Sequence, residues 1–335
     1  MAKDENVVTL QTQPAHGWWF DAGRRLLRHR AATIGLIVIG LFGMMALFAP
    51  WVDRHNPDHQ YIYVEHNGEP MVDGIGQRTL DSDARLAGPS GRFWLGTDRL
   101  ARDQYSRLVH GARISLAVGV FSQLIALAIG VAVGMAAGLG KRWADTLLMR
   151  LTDIAYAFPD LLMLILLVSI FGSSVWLLIV AIAGVSWPTI ARLVRGQVLA
   201  LRDEDYIVAA RALGASNWRI GWHDLLPNLL GPVIVTATFG IPSAIFAEAA
   251  LSFIGLGLQA PSWGRLVSES FDTIFVAPHL VVASCLAVAL TMMSFTFLGD
   301  GLRDALDPRS RTAQPLPEPP KASGRTPDVS ERRAA

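Results

Sequence analysis

The chain is expected to be an all-α polytopic membrane protein with six transmembrane helices. Three observations predict this. Of its 335 residues, 52% are hydrophobic and only 17% are charged, where soluble domains carry roughly 25%. The apolar residues collect in uncharged runs, each long enough for the 20 or so residues that cross a bilayer as a helix. Between the runs, arginines and lysines fall mostly on one side of the membrane. A formal net charge of +1 gives no footprint for nucleic acid. The single cysteine, Cys285, lies in an apolar run, so neither a disulfide frame nor a cysteine metal site is expected. The first 30 residues are polar and hold no apolar signal-peptide core.

Residues 1–30 read as a cytoplasmic tail, disordered to about residue 16, followed by an interfacial segment. There Trp18, Trp19 and Phe20 stand beside Arg24, Arg25, Arg28 and Arg30, a pairing suited to a membrane surface. Residues 31–51 form the first span, with an uncharged run over 31–50. Residues 52–107 form an extracytoplasmic loop and an amphipathic helix. Its histidines, His55, His59 and His66, read as solvated loop residues rather than a metal site. Thr97 or Asp98 is expected to cap the helix, with Ala101, Tyr105, Leu108 and Val109 on one face.

Residues 108–302 form a five-helix core. The second span (114–140) is rich in glycine and alanine, which let helices approach closely in lipid. In the third span (145–171), Arg150 and Asp153 are expected to pair locally and Pro159 to kink the helix. Asp160 then lies deep in the membrane, either as a functional acid or as a buried acid satisfied by a neighbouring helix. Gly172-Ser173-Ser174 breaks the next apolar run, so the fourth span covers 175–194 and ends at Arg192 and Arg195. The fifth (228–247) carries Gly231, Pro232, Gly240 and Pro242, and the sixth covers 277–299. Residues 303–335 read as a cytoplasmic tail, Pro-rich and disordered beyond Asp307. Six spans put both termini on one side, and the arginines flanking the first span make that side cytoplasmic. Arg92, Arg99, Arg102, Arg107 and Arg113 fall on the other side.

Between spans four and five lies a polar island, 203–227, too charged for the bilayer core. Asp203 is expected to cap a helix with Glu204 and Asp205 in its first turn, where acids suit the dipole. Gly214 permits a backbone corner, Ser216 caps a second short helix, and Pro227 opens the next span. A helix, a glycine corner and a helix held on rigid spans make a shape that fits a groove in a soluble partner.

These residues resemble the cytoplasmic coupling loop of ABC importer permeases, whose pattern is Glu-Ala-Ala, then Gly, then Leu-Pro. Ala209, Ala210, Gly214, Leu226 and Pro227 stand in register, with Val208 in the place of the family's Glu and Asp224 in the place of an apolar residue. Glu248-Ala249-Ala250 has the same letters without the downstream Leu-Pro. Gly96, Thr97, Asp98, Arg102 and Asp103 resemble a segment of dipeptide and oligopeptide permeases in which Ala101 replaces the usual glycine. The stretch from Glu248 through Ser252, Phe253 and Trp263 resembles the family's outer-end segment.

The resemblance implies the C-type permease of an ABC importer for dipeptides, oligopeptides or related small solutes, with the type I importer fold. Expected partners are a second homologous permease subunit, two cytoplasmic ABC ATPase subunits, an extracytoplasmic solute-binding protein and the lipid bilayer. Tyr206, Ala209, Ala210, Gly214, Ala215, Leu226 and Pro227 are the implied ATPase-coupling residues. Asp160, Glu248, Ser252, Phe253 and Trp263 are the candidates for the pathway or outer gate. No catalytic residue, metal or cofactor is expected: Gly140-Lys141 precedes Arg142, and Met135 occupies the first glycine of a would-be phosphate loop. The competing reading is a secondary transporter driven by an ion gradient, which needs intramembrane acids and has only Asp160 to offer.

Overall fold

A computed structural model describes residues 18–53, 55–62, 65–66, 69–70 and 84–306. The expected disorder of residues 1–16 and of the tail beyond Asp307 falls outside them. The described elements begin with α1 (Trp18–Arg28), α2 (Arg30–Leu47), the short α3 (Ala49–Val52) and a two-stranded antiparallel hairpin, β1 (Glu65–His66) with β2 (Glu69–Pro70). Then come α4 (Gln104–Leu139), α5 (Arg142–Ala157), α6 (Asp160–Phe171), α7 (Val175–Leu201), α8 (Asp205–Ala212) and α9 (Asn217–Arg219). A π-helical segment, Ile220–Leu225, leads into α10 (Leu226–Phe253), followed by α11 (Trp263–Phe271) and α12 (Pro278–Leu306).

Five helical stretches are long and apolar enough to cross a membrane: α2, α4, α7, Asn217–Phe253 and α12. A sixth exists if α5 and α6 count as one span bent by 83°. The bend sits at Pro159, which lacks the N–H to continue α5 and instead stands before the first turn of α6. Where a kink was expected, the helix breaks.

The core is built on α4 and α7. A Cβ added at Gly130, Gly134 or Gly138 would come within 2.6 Å of Ile190, Ala191 or Val198 respectively. Glycine at every fourth residue clears one face of α4, so the backbones meet without side chains between them. In the N-terminal half of α4, Gly119 lies against Ile245 of α10. On the other flank, Gly35 of α2 and Gly299 of α12 make the same kind of approach to α12 and to Phe239 of α10. Ion pairs tie α5 to α7: Arg195 grips Asp145 with both ends of its guanidinium (2.5 and 2.8 Å), and Arg192 bonds Asp153 at 2.8 Å. Asp153 thus pairs across helices rather than with Arg150. Arg192 and Arg195 also lie within α7, which runs on to Leu201 and is about two turns longer than expected.

The helix that was expected to start at Thr97 or Asp98 begins at Gln104, and its cap is Asp103, which accepts the Tyr105 and Ser106 N–H groups. Thr97 and Asp98 are occupied otherwise. Thr97 Oγ1 donates to the Ala84 carbonyl and accepts the Ala87 N–H. Asp98 takes the N–H groups of Leu100 and Arg102 and the guanidinium of Arg107. Ala101 is therefore not on a helical face. It is fully buried in a turn with φ +56°, a left-handed conformation that costs an L-residue with a Cβ about 1 kcal/mol or more. This explains why glycine suits that position in the resembling permeases. Ala101→Gly is expected to stabilise the chain by about 1 kcal/mol, read as a higher Tm of the purified protein. An unchanged or lowered Tm would show the turn is not strained.

Candidate functional site

The corner between α7 and α10 is built in three steps. First, α8 is anchored by one residue, Ile207, which is fully buried among Val194, Val198, Ile220 and Leu225. Its cap position is Glu204 without a side-chain bond, and Asp203, expected to cap, lies 3.7 Å from Arg202 instead. Second, α8 closes in a Schellman motif. The Ala215 N–H reaches the Ala210 carbonyl (3.1 Å) and the Gly214 N–H the Arg211 carbonyl (3.0 Å). That geometry needs a left-handed residue, and Gly214 supplies it at φ +86°. Ala210, Gly214 and Ala215 are therefore one motif, and their spacing is the spacing of its two hydrogen bonds. Third, Ser216 Oγ accepts the Arg219 N–H and caps α9, as its position in the sequence predicts. Asn217 donates to the Leu139 carbonyl at the end of α4 (3.2 Å), and Gly221 packs against Met135, fixing the corner to α4 as well.

The exposed side of this corner is apolar. Leu213 is 89% and Trp218 75% accessible, and the rings of Trp218 and Trp222 pack at a tilt of 58° with centroids 5.4 Å apart. Beside them, Ala210, Leu213, Gly214, Ala215, Arg219 and Asp224 line an open concavity of about 440 Å³. Large accessible apolar groups on a polar segment mark an interaction surface. Tyr206 and Ala209 lie on the exposed part of α8. Burial, with Glu204 and Asp224 nearby, raises the Tyr206 hydroxyl above its ordinary range, and its oxygen accepts an N–H from Asn228. Pro227 falls in the first turn of α10, and Leu226 beside it is half-buried. Leu213, Trp218 and Trp222 lie inside the expected 203–227 segment but were not singled out in it, although the four-residue spacing of the two tryptophans was a usable signal.

The outer-end candidates divide. Glu248 is fully buried, and its Oε1 accepts the hydroxyls of Ser252 (2.8 Å) and Ser262 (2.6 Å). Trp263, also fully buried, gives its backbone N–H to Ser115 and its indole N–H to the Leu108 carbonyl. These bonds knot α4, α10 and α11 together. Phe253 alone of this group is exposed, packed edge-on to Phe271 at 5.2 Å. Glu248 and Trp263 thus cannot themselves face a docked protein. Asp160 is brought to neither group. It is exposed in the first turn of α6, where its charge suits the helix dipole, so within this chain no neighbouring helix buries it.

A second polar assembly, missed by sequence reasoning, holds the loop before α4 to α11. Arg107, 1% accessible, bridges Asp98 (2.7 Å) and Glu269 (2.5 Å), while Arg102 bonds both acids and Arg265 bonds Glu269 at 2.7 Å. Burial raises the Glu269 carboxyl, but the hydrogen bond and charge of Arg107, with Arg265 and Arg102, outweigh it and leave the group below the ordinary carboxylate range. His55, expected to be a solvated loop residue, is instead half-buried and lies 3.1 Å from Asp103. Among the described residues no cluster of three or more His, Cys, Asp or Glu side chains is placed to hold a metal.

The family described as "Binding-protein-dependent transport system inner membrane component" matches residues 130–312, which include α7, the corner and α10. The chain belongs to this family. The N-terminal transmembrane domain of oligopeptide transport permease C matches residues 17–70. The permease is 42% identical to the dipeptide transport system permease protein DppC of Alkalihalophilus pseudofirmus, over 88% of this chain and 91% of that protein. It is 40% identical to the glutathione transport system permease protein GsiD of Escherichia coli O157:H7, over 87% and 90% respectively. An inward-facing structure of the MetNI methionine ABC transporter shares the fold with a TM-score of 0.51 at 20% identity, covering 60% of this chain and 96% of that one. The permease is thus a multi-pass inner-membrane subunit of an ABC importer, working in complex with an ATPase and a binding protein. It is not itself an enzyme, since separate ATPase subunits hydrolyse the ATP, and the ion-gradient alternative gives way.

Two predictions concern the outer end. Glu248 is bonded by hydroxyls, and no ion pair reaches it among the described residues, so Glu248→Gln is expected to keep transport within about twofold. Glu248→Ala leaves two buried hydroxyls without an acceptor and opens a cavity, costing about 3 kcal/mol. A loss in uptake with Gln equal to that with Ala would show that the carboxyl is needed as a charge. Glu269 has a lowered pKa in the folded state, so its stabilisation is present above its ordinary value and is lost as pH falls through the lowered one. Amides of residues 84–103 are expected to exchange faster as pH drops into that acid range. Glu269→Gln should remove this pH dependence, and a slope that survives it would shift the effect to other acids.

Proposed function

We propose that this permease imports dipeptides, oligopeptides or a related small solute such as glutathione. It pairs with a second homologous permease, and two ATPase subunits dock at the paired corners. The N-terminus lies in the cytoplasm, and the binding protein delivers solute at the opposite face. The relatives named for dipeptide and glutathione transport, at about 40% identity over most of the chain, support the substrate class.

The observation that carries the coupling assignment is the corner itself. It presents Leu213 and Trp218 to solvent on a frame fixed by Ile207, Gly214 and Asn217. A rigid apolar protrusion transmits force, because a groove that closes around it moves the helices to which it is tied. Tyr206, Ala209, Ala210 and Ala215 form its face, and Leu226 with Pro227 passes the movement into α10. At the outer end Phe253 is the exposed group suited to a gate, while Glu248, Ser252 and Trp263 set the angle between α10 and α11. Asp160 plays no part in coupling on this reading.

The test is a crosslink. With Cys285 replaced by Ser, a single cysteine at Ala212 carrying a photo-activated reagent is expected to trap a soluble ATPase in native membranes. Gly214→Val should abolish both the crosslink and uptake while the chain still inserts, since a β-branched residue at φ +86° breaks the corner. Normal uptake with Gly214→Val would remove the coupling role.

A further inference from the structure

The first helix has a surface that transport coupling does not use. It stops at His29, whose backbone leaves the helical region (φ −80°, ψ 104°) and whose Nδ1 accepts the Ala32 N–H to start α2. The same histidine pairs with Asp304 in the last turns of α12 (3.7 Å). Ala22 is buried, and Leu26 packs where a Cβ on Gly301 would lie 3.0 Å away. One face of α1 is thereby fixed against the end of α12. That end is the one at which Leu306 meets Gly231, in the second turn of α10. So α1 lies at the same end of the bundle as the 203–225 corner.

The opposite face of α1 carries Phe20, Arg24, Leu27 and Arg28, all exposed. These positions recur at helical spacing, so two large apolar groups and two arginines share one stripe. From Trp18 to Arg30 there are four arginines against Asp21 alone. The helix dipole accounts for Arg25 and Arg28 in the last turn. It does not account for Arg24, nor for Arg30, which is exposed at the head of a helix where a cation is disfavoured. The stripe continues into the exposed flank of α2, with Ile34, Ile37, Leu41 and Met44, a surface that only lipid or another spanning helix can cover. Basic and apolar groups on one stripe, at the level where a span leaves the bilayer, match the phosphate and acyl layers of a membrane surface.

We propose that α1 is a surface helix that binds the phosphate groups of anionic phospholipids, on the leaflet that faces the coupling corner. Arg24, Arg28 and Arg30 hold the headgroups, and Phe20 and Leu27 enter the acyl boundary. The ligand is the lipid surface and not a soluble phosphate, because the apolar groups on the stripe gain nothing from an ion in water. The proposal rests on the permease reading only in calling that leaflet the ATPase side.

The test uses the assembled importer with Cys285→Ser and a Leu27→Cys label that reports exposure to water. It is reconstituted in nanodiscs of phosphatidylcholine, or of phosphatidylcholine with an equal part of phosphatidylglycerol. The expected result is a blue-shifted, quencher-shielded label in the anionic discs only, reversed by high salt. Each arginine should contribute roughly fivefold to the equilibrium between bound and detached helix. Arg24, Arg28 and Arg30 changed together to Gln should abolish the difference, and the same three changed to Lys should restore it. Equal shielding in both lipids, or no shielding in either, would overturn the proposal. So would shielding that disappears when the permease pair is measured without its ATPases, since a protein would then be the cover. The Ala212 crosslink can fail while this result stands, so the two readings fail separately.

Discussion

The rest of the structure depends on how closely α4 approaches α7. In lipid, two apolar helices gain nothing from hiding apolar surface from each other, because the acyl chains are equally apolar. What holds them is contact between atoms already near van der Waals distance. Gly130, Gly134 and Gly138 make that contact possible along three successive turns. Because α7 is held along its length, the cluster around Val194 and Val198 can extend to Ile207, Ile220 and Leu225. The solvent-facing corner is thus a continuation of the membrane core and not an appendage to it.

At the other end of α10 the chain buries polar groups and bonds most of them, leaving Glu248 Oε2 and Arg107 Nε without a hydrogen-bond partner. The Glu248 hydroxyl knot and the Arg107 assembly differ in chemistry and share a result. Each ties α11, a short helix between two long ones, to α4 or to the loop preceding it. One of these is neutral in its partners and the other ionic. Acid should reach the second through Glu269, whereas salt should reach it little because Arg107 is buried.

Much of this was legible in the sequence. The apolar runs gave the spans because a bilayer admits few alternatives to a helix of fixed length. Gly214, Ser216 and Pro227 announced the corner because each has a local backbone duty that composition alone reveals. Side-chain partnership was not legible. Asp98 read as a cap and instead organises a buried ion cluster, because Arg107 and Glu269 reach it from other elements. Asp153 was assigned to Arg150 by proximity along the helix, and Arg192 on α7 takes it. Asp160 read as deep because apolar residues follow it. The full break at Pro159 puts it at the head of α6, exposed on this chain. Local rules worked where the chain acts on itself and failed where a distant helix competes for the same atom.

The π-helical segment from Ile220 to Leu225 has a further consequence. Such a segment accommodates one more residue than an α-helix of the same path. Each helical residue rotates the chain by about 100°. The π segment therefore sets the rotational phase between the corner and α10. Trp218 and Leu213 point where they do because of a residue count, and not only because of which residues are there. A deletion of one residue in this segment would leave a well-formed α-helix with every upstream side chain turned a quarter-circle or more from its place. The length of the corner is as much a part of its fit as its surface.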